Sequence, residues 1–539
     1  MRKAALFVAL ACACKPADPA SPATWIARLS DSDARARVEA VQKLRKLGAK
    51  EAAPQIAQLL RDTPVKEDAA VALQDLGTPA EVPAILDAVD TTVGAGSDQA
   101  TRVANRTNAK IADALGRIGD VRAGPTLLRL ARSKDDLVRL SAVQALGKIR
   151  FGDPSAVQEL ARIVDDEAAP PILVKKAIVA LGEIGDPAAI PALEHGLVLE
   201  RQGVSFLPES SFALFLLGDK AVEPLLKIAQ DQDAAYLAWA KENNRAPAGT
   251  YAKALLVLGD LGDARAVPAL LQKLKYADSD PNPGTARLLS NLVRQFAANA
   301  LGRLRAKDAA APILALVQTK DPGDEDLVSF AVEALVWIGD RAQAKELAKR
   351  AQAGAIRSRL LAAQGVALLG EPQLGKDLLA IAAREEKGSA AGCQRQLGEL
   401  GLSADDPKGA CALVASRFSA LGERPLLAAS KCAGAAACWA QELSDADSIV
   451  RARAAYELGR AQAAEAVPAL VKACADPEPV VRVGAIRALE WLLPVAQAKA
   501  SLKAAAPELA RQLAAEAGST QFLKTNEELR RLATRLSRL

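Results

Sequence analysis

Seven cysteines and one histidine are the residues of this 539-residue chain whose types lend themselves most directly to covalent or metal chemistry. The histidine, His195, lies between Leu193 and Leu197, with Glu194 and Gly196 beside it. A lone imidazole does not make a multi-histidine metal site, and any Ser-His-Asp or Cys-His relay has to pass through it. Its place on an apolar helix pattern predicts a surface or packing role. No GxxxxGK followed by Ser or Thr occurs, and no strand-flanked GxGxxG, so a phosphate-cradling loop is absent. Cys393, Cys411, Cys432, Cys438 and Cys474 all fall in the last third of the chain. They lack the paired CxxC units of zinc sites. In an oxidising compartment the close pairs bridge: Cys432 with Cys438 across Gly434, and Cys393 with Cys411, leaving Cys474 over. Five reduced, buried thiols are the alternative. Residues 388–440 are rich in Ala and Gly, so bridges there compensate a thin core. No catalytic, cofactor-binding or metal-binding residue is expected.

The other two cysteines stand at the start. Arg2 and Lys3 precede an apolar run from Ala4 to Ala13, followed by Cys14, Lys15 and Pro16. That order is a signal peptide's, and its ten apolar residues fall short of the roughly 20 that a membrane-spanning helix needs. Small residues ahead of a cysteine resemble a bacterial lipoprotein signal, which implies a lipidated first mature residue at Cys14, with Cys12 as the alternative. Ala11 departs from the pattern, since a large aliphatic residue is usual three positions before the lipidated cysteine. Pro16, Pro19 and Pro22 predict an extended tether over residues 14–24. Removing residues 1–13 takes the formal charge from +5 to +3, so attachment is expected through lipid alone.

What must position any site is a repeat. Half the residues are apolar, but with only 9 Phe, 5 Trp and 4 Tyr, and Ala and Leu supply most of that half. Small side chains suit close helix packing. One phrase recurs: Ala-Leu-Gly-Arg-Ile-Gly-Asp at 114–120, Ala-Leu-Gly-Glu-Ile-Gly-Asp-Pro at 180–187, Val-Leu-Gly-Asp-Leu-Gly-Asp at 257–263. Val174, Ile178 and Leu181 repeat at i, i+4 and i+7; Gly185-Asp186-Pro187 interrupts; Ile190, Leu193 and Leu197 resume. Gly ends the first helix, Asp caps the second and Pro occupies its first turn. Neither helix buries its stripe alone, so the prediction is an all-α solenoid of about 14 stacked hairpins over 25–510, with capping helices at 511–539. The phrase resembles the HEAT-like repeat of the phycobilisome-lyase type. That resemblance implies the fold and says little of activity. Asp120 with Arg122, Asp263 with Arg265 and Asp340 with Arg341 are expected to cap helices and link units as a ladder. Thr525 to Leu539, acidic early and basic late, predicts a polar cap on an open end.

Relatives built on such repeats set limits. Deoxyhypusine hydroxylase binds iron through His-Glu motifs that a single histidine does not supply. Phycobilin lyases act on proteins an exported chain does not meet, and the near-balanced charge opposes the basic cleft of HEAT-like DNA glycosylases. Four insertions, Thr91–Asn108, Glu200–Ser211, Asp231–Thr250 and Tyr276–Ser290, are expected on one edge. In or beside them lie Phe206, Tyr236, Trp239, Arg245, Tyr251 and Tyr276, a candidate partner-binding edge of the side chains that hot spots use. Packing of Tyr236 and Trp239 onto a neighbouring helix is the competing expectation. Trp25, Trp337, Trp439 and Trp491 read as core or end-cap residues. The function expected is a non-catalytic scaffold, exported to the periplasm or cell surface. Its partner is another envelope protein, with no nucleic acid and no small-molecule substrate. The alternative is a lyase-like enzyme or accessory acting on a protein.

Overall fold

The computed structural model describes residues 20–90, 98–317, 322–404, 407–516 and 521–539. Cys12 and Cys14 lie outside them. A helix already starts at Pro22, inside the stretch expected to be extended. Apart from a two-stranded hairpin, Glu200–Arg201 with Val204–Ser205, the regular elements described are helical. No described helix is long and apolar enough to cross a membrane.

The recurrent phrase has a packing cause. In the helix Pro171–Ile184 the buried residues include Val174, Ala177, Ile178, Leu181 and Gly182, a stripe at helical spacing. That helix packs on Asp136–Lys148 and on Leu207–Leu217, the first helices of adjoining hairpins. A Cβ added at Gly147 would stand 2.7 Å from the Ala180 Cα, and one added at Gly182 would stand 2.7 Å from the Ala213 Cβ. Gly116 meets Ala145 in the same way, Gly259 meets Ala300, Gly302 meets Ala334 and Gly459 meets Ala488. Within each Ala-Leu-Gly the Ala seats on one repeat, the Leu enters the core and the Gly receives the next repeat's Ala. The second glycine does a separate job. Gly185 ends its helix at φ +73°, a left-handed backbone that L side chains rarely adopt, and Asp186 then accepts the Ala188 amide at 2.8 Å. The glycines that mark the repeat in the sequence are therefore two series, one of close approach and one of turns.

Gly182→Ala is expected to lower the melting temperature of the first unit. The new methyl would also come within 2.8 Å of the Ala213 Cα, which is backbone and moves only with its helix. Overpacking of that kind costs about 1–3 kcal/mol, more than the roughly 1 kcal/mol that helix propensity returns. Thermal unfolding followed by circular dichroism measures it; an unchanged midpoint would mean the two helices slide apart freely.

The chain divides into two compact units, one ending at Leu217 and one starting at Gly218. In the second unit the chain returns on itself. The Trp337 indole N–H donates to the Tyr456 hydroxyl at 3.2 Å, and Arg460 donates to the Val336 carbonyl at 2.7 Å. Arg453 donates to the carbonyls of Ala367 and Gly370 at 2.8 and 2.7 Å.

The C-terminal helix Leu523–Ser537 is drawn into this closure, so it does not serve as the polar cap of an open end. Its Arg531 lies 2.9 Å from Asp260, and its Glu528 lies 2.8 Å from Arg487 and 3.5 Å from Arg303. Arg487 also pairs with Glu490, and Arg535 reaches Glu490 and the Asp260 carbonyl. Once buried, these charges hold the helix in place, because breaking any one pair would leave its partner desolvated and unpaired.

Candidate functional site

The expected aromatic edge is largely interior. Phe206, Tyr236 and Tyr251 are 0, 4 and 7 % exposed, and Trp239, Arg245 and Tyr276 are half-buried. Phe206 follows the small β-hairpin and carries the Arg201 guanidinium 5.9 Å from its ring. Asp231–Thr250 holds a separate helix, Ala234–Glu242, started by Asp233, whose carboxylate accepts the Tyr236 amide. There the Tyr236 and Trp239 rings pack together, centroids 5.6 Å apart. Tyr251 and Tyr276 meet edge to face at 5.5 Å, and the Lys273 ammonium lies 3.3 Å from the Tyr251 centroid. Tyr251 donates to Asp231 and Tyr276 to Asp278. Burial raises both phenols above their ordinary range, and the neighbouring carboxylates add to it; burial lowers Lys273. In a chain of small side chains, the few aromatics fill the gaps where inserted segments meet repeat helices. That makes them poor exposed anchors.

His195 sits on the helix Ile190–Val198 with Nδ1 2.8 Å from the Asp165 carboxylate at the end of Pro154–Asp165. This ties two second helices together. The charge ladder is present in altered form. Asp75 bridges Arg45 at 2.6 Å and Arg117 at 2.7 Å, across three repeats. The hydrogen bond from Arg45 holds its carboxyl below the ordinary value. Arg122 and Arg265 instead fold back on their own caps, Asp120 and Asp263, and reach the preceding repeat at the Pro79 carbonyl and at Asp219. Arg341 does point forward, to Glu371 at 3.0 Å.

Cys393 and Cys411 are bonded, their Cα atoms 5.0 Å apart on the helices Ala390–Glu399 and Pro407–Gly422. Cys432 and Cys438 are bonded across the turn at Ala433 and Gly434, Cα atoms 5.3 Å apart. Glu442 stands beside this pair, but its carboxylate takes the Lys431 ammonium at 2.7 Å, and the two sulfurs hold each other. Cys474 is a buried free thiol, its pKa raised by burial. Mapping an unreduced digest should recover both linked peptides, and the pair Cys393→Ser, Cys411→Ser should cost about 2–4 kcal/mol. Free thiols at all four positions would dispose of the bridges.

Sequence reasoning missed a surface feature of the first unit. Leu137 and Ile172 are the second residues of the helices Asp136–Lys148 and Pro171–Ile184, and they are 48 and 53 % exposed. These two helices pack on each other, so one apolar side chain stands at the same register on consecutive repeats. The available signal was a large aliphatic residue at the helix start, outside the core stripe.

Stacked two-helix units with interlocking first helices define an α-solenoid. Models of HEAT repeats match residues 104–174 and 437–519, and the PBS lyase HEAT-like repeat matches 175–198, 251–276 and 293–319. Over those residues the chain carries HEAT and HEAT-like repeats. Among solved structures, the Kap95:Nup1 complex is similar at 13 % identity and TM-score 0.41, over 96 % of this chain and 77 % of that one. Human deoxyhypusine hydroxylase is similar at 20 % identity and TM-score 0.20, over 55 % and 98 %. The CpcE–CpcF complex of phycocyanin lyase from Nostoc sp. PCC7120 is similar at 20 % identity and TM-score 0.24, over 53 % and 93 %. No curated protein matches.

Proposed function

We propose that this protein is a non-catalytic docking scaffold, exported and held at a bacterial membrane by lipid on Cys14, and that it binds another envelope protein. The paired exposed side chains Leu137 and Ile172 carry the reading. They offer apolar contact on two consecutive repeats, on helices that also carry the ion pairs Arg139–Asp136 and Lys175–Glu209, and extended helical arrays suit protein partners better than small substrates. Two disulfides support an oxidising compartment, and the order Arg2-Lys3, apolar run, Cys14 supports the route to it.

Two arms test it. Cys14→Ser should move the protein from the membrane fraction to the soluble envelope fraction; retention in the membrane would remove the anchor from that residue. In the native host, a partner crosslinked to the wild type should be lost from the pair Leu137→Glu, Ile172→Glu and kept by Leu427→Glu, a control in the second unit that is 69 % exposed. Equal capture by all three would end the docking assignment.

A further inference from the structure

A cavity of about 340 Å³ opens inside the second unit, among the helices Glu325–Ile338, Ile356–Leu369, Ser448–Arg460 and Pro479–Leu492 and the start of Leu523–Ser537. That volume falls within the roughly 300–1,000 Å³ of small-molecule sites. Val332, Val336, Leu361, Leu368, Val480 and Val483 make apolar walls. Exposed Gln521 and Lys524 stand at its rim, and buried Tyr456 lines its interior. One acid breaks the apolar lining. Glu333 makes no hydrogen bond or ion pair with the described residues, and burial raises its carboxyl's pKa while Lys524 and Arg487 draw it only partly back.

The nearby cations are otherwise placed. Lys524 is exposed, with its ammonium 5.1 Å from the Phe330 ring, and Arg487 is committed to Glu490 and Glu528. Half-buried Glu333 has no direct ion-pair partner among the described residues, and a cation that brings its own apolar body would pair with it while filling the space. We propose that this cavity binds a free aliphatic amine, with its ammonium on the Glu333 carboxylate and its chain along the valine and leucine walls. The site is independent of the docking surface on the first unit, and it adds a small-molecule ligand that the scaffold reading left out.

Calorimetric titration of the whole chain with octylamine, octanoate and octanol, each kept below its aggregation concentration, tests this. Octylamine should bind in a single equivalent, about tenfold or more tighter than the other two. Glu333→Gln, which removes a desolvated charge and is compatible with the fold, should weaken octylamine by about tenfold or more and leave octanol unchanged. Val483→Trp should block both by filling the cavity. Octanoate binding as tightly as octylamine, or an unchanged octylamine affinity in Glu333→Gln, would overturn the proposal, whether or not Val483→Trp folds. Binding of Nα-acetyl-lysine methyl ester as tight as octylamine would give the site to a lysine side chain of a protein partner and equally overturn the free-amine assignment.

Discussion

Replacing Arg487 with Met, with its two carboxylates left in place, is expected to destabilise the second unit by about 3–5 kcal/mol, the usual cost of breaking a buried ion pair from one side. The guanidinium is fully buried and pairs with Glu490 and Glu528 on two different helices, and it lies 4.7 Å from the Trp337 ring. Met conserves most of the apolar bulk, so the loss reports charge more than volume. Glu490 would retain Arg303 and Arg535 at 3.7 and 3.8 Å, and Glu528 would retain Arg303 at 3.5 Å, distances too long to replace what is lost. Urea unfolding followed by tryptophan fluorescence, to which the second unit contributes Trp239, Trp337, Trp439 and Trp491, measures it. Adding Glu490→Leu and Glu528→Leu to Arg487→Met should return part of the stability, because neither glutamate is then left buried without Arg487, while Arg303 keeps Asp260 at 2.9 Å and Arg535 keeps the Asp260 carbonyl. A single-variant loss below about 1 kcal/mol would show that water reaches the cluster.

The repeat was legible because its physics is local and recurrent. Ala-Leu-Gly is written out wherever one first helix seats on the next, and Gly185-Asp186-Pro187 spells a helix end, a cap and a first turn within three residues. The buried ion cluster has no such signature. Arg303 and Glu528 are 225 residues apart, and each falls at an unremarkable place on its own helix. From sequence the charges of the last helix fit a dipole at a free end equally well, and only the return of the chain decides between the two. The aromatic edge failed for a related reason. Enrichment of Tyr and Trp in the insertions was real, but composition does not say whether an aromatic faces a partner or fills a gap, and the Tyr251–Lys273–Tyr276 cluster fills one. Glu333 left a trace in the sequence, a single acid inside Phe330-Ala-Val-Glu-Ala-Leu-Val-Trp337, whose meaning depends on a cavity that distant helices complete.

Acid is expected to loosen the same unit as pH falls below about 4.5. Burial alone would raise the Glu490 carboxyl, but Arg487, Arg303 and Arg535 overcome it and hold its pKa at about 2, against 4.5 for the free side chain. A folded-state pKa below the unfolded one contributes stability in full above about pH 4.5, and that contribution drains away as pH falls toward about 2. The shift corresponds to about 3 kcal/mol. Glu385, held down by Arg359 against its burial, and Glu516, held down by Arg482, act in the same direction. Glu333 acts the other way: its pKa is raised in the fold, so protonation favours the folded state as pH drops. The urea midpoint measured from about pH 6 to about pH 2.5 should therefore fall steeply in the wild type, less steeply in Glu490→Gln, and more steeply in Glu333→Gln, where the opposing group is gone. A wild-type midpoint that stays level across that range would mean Glu490 is not ionised against its arginines, and the charge cluster would then not be what closes the unit.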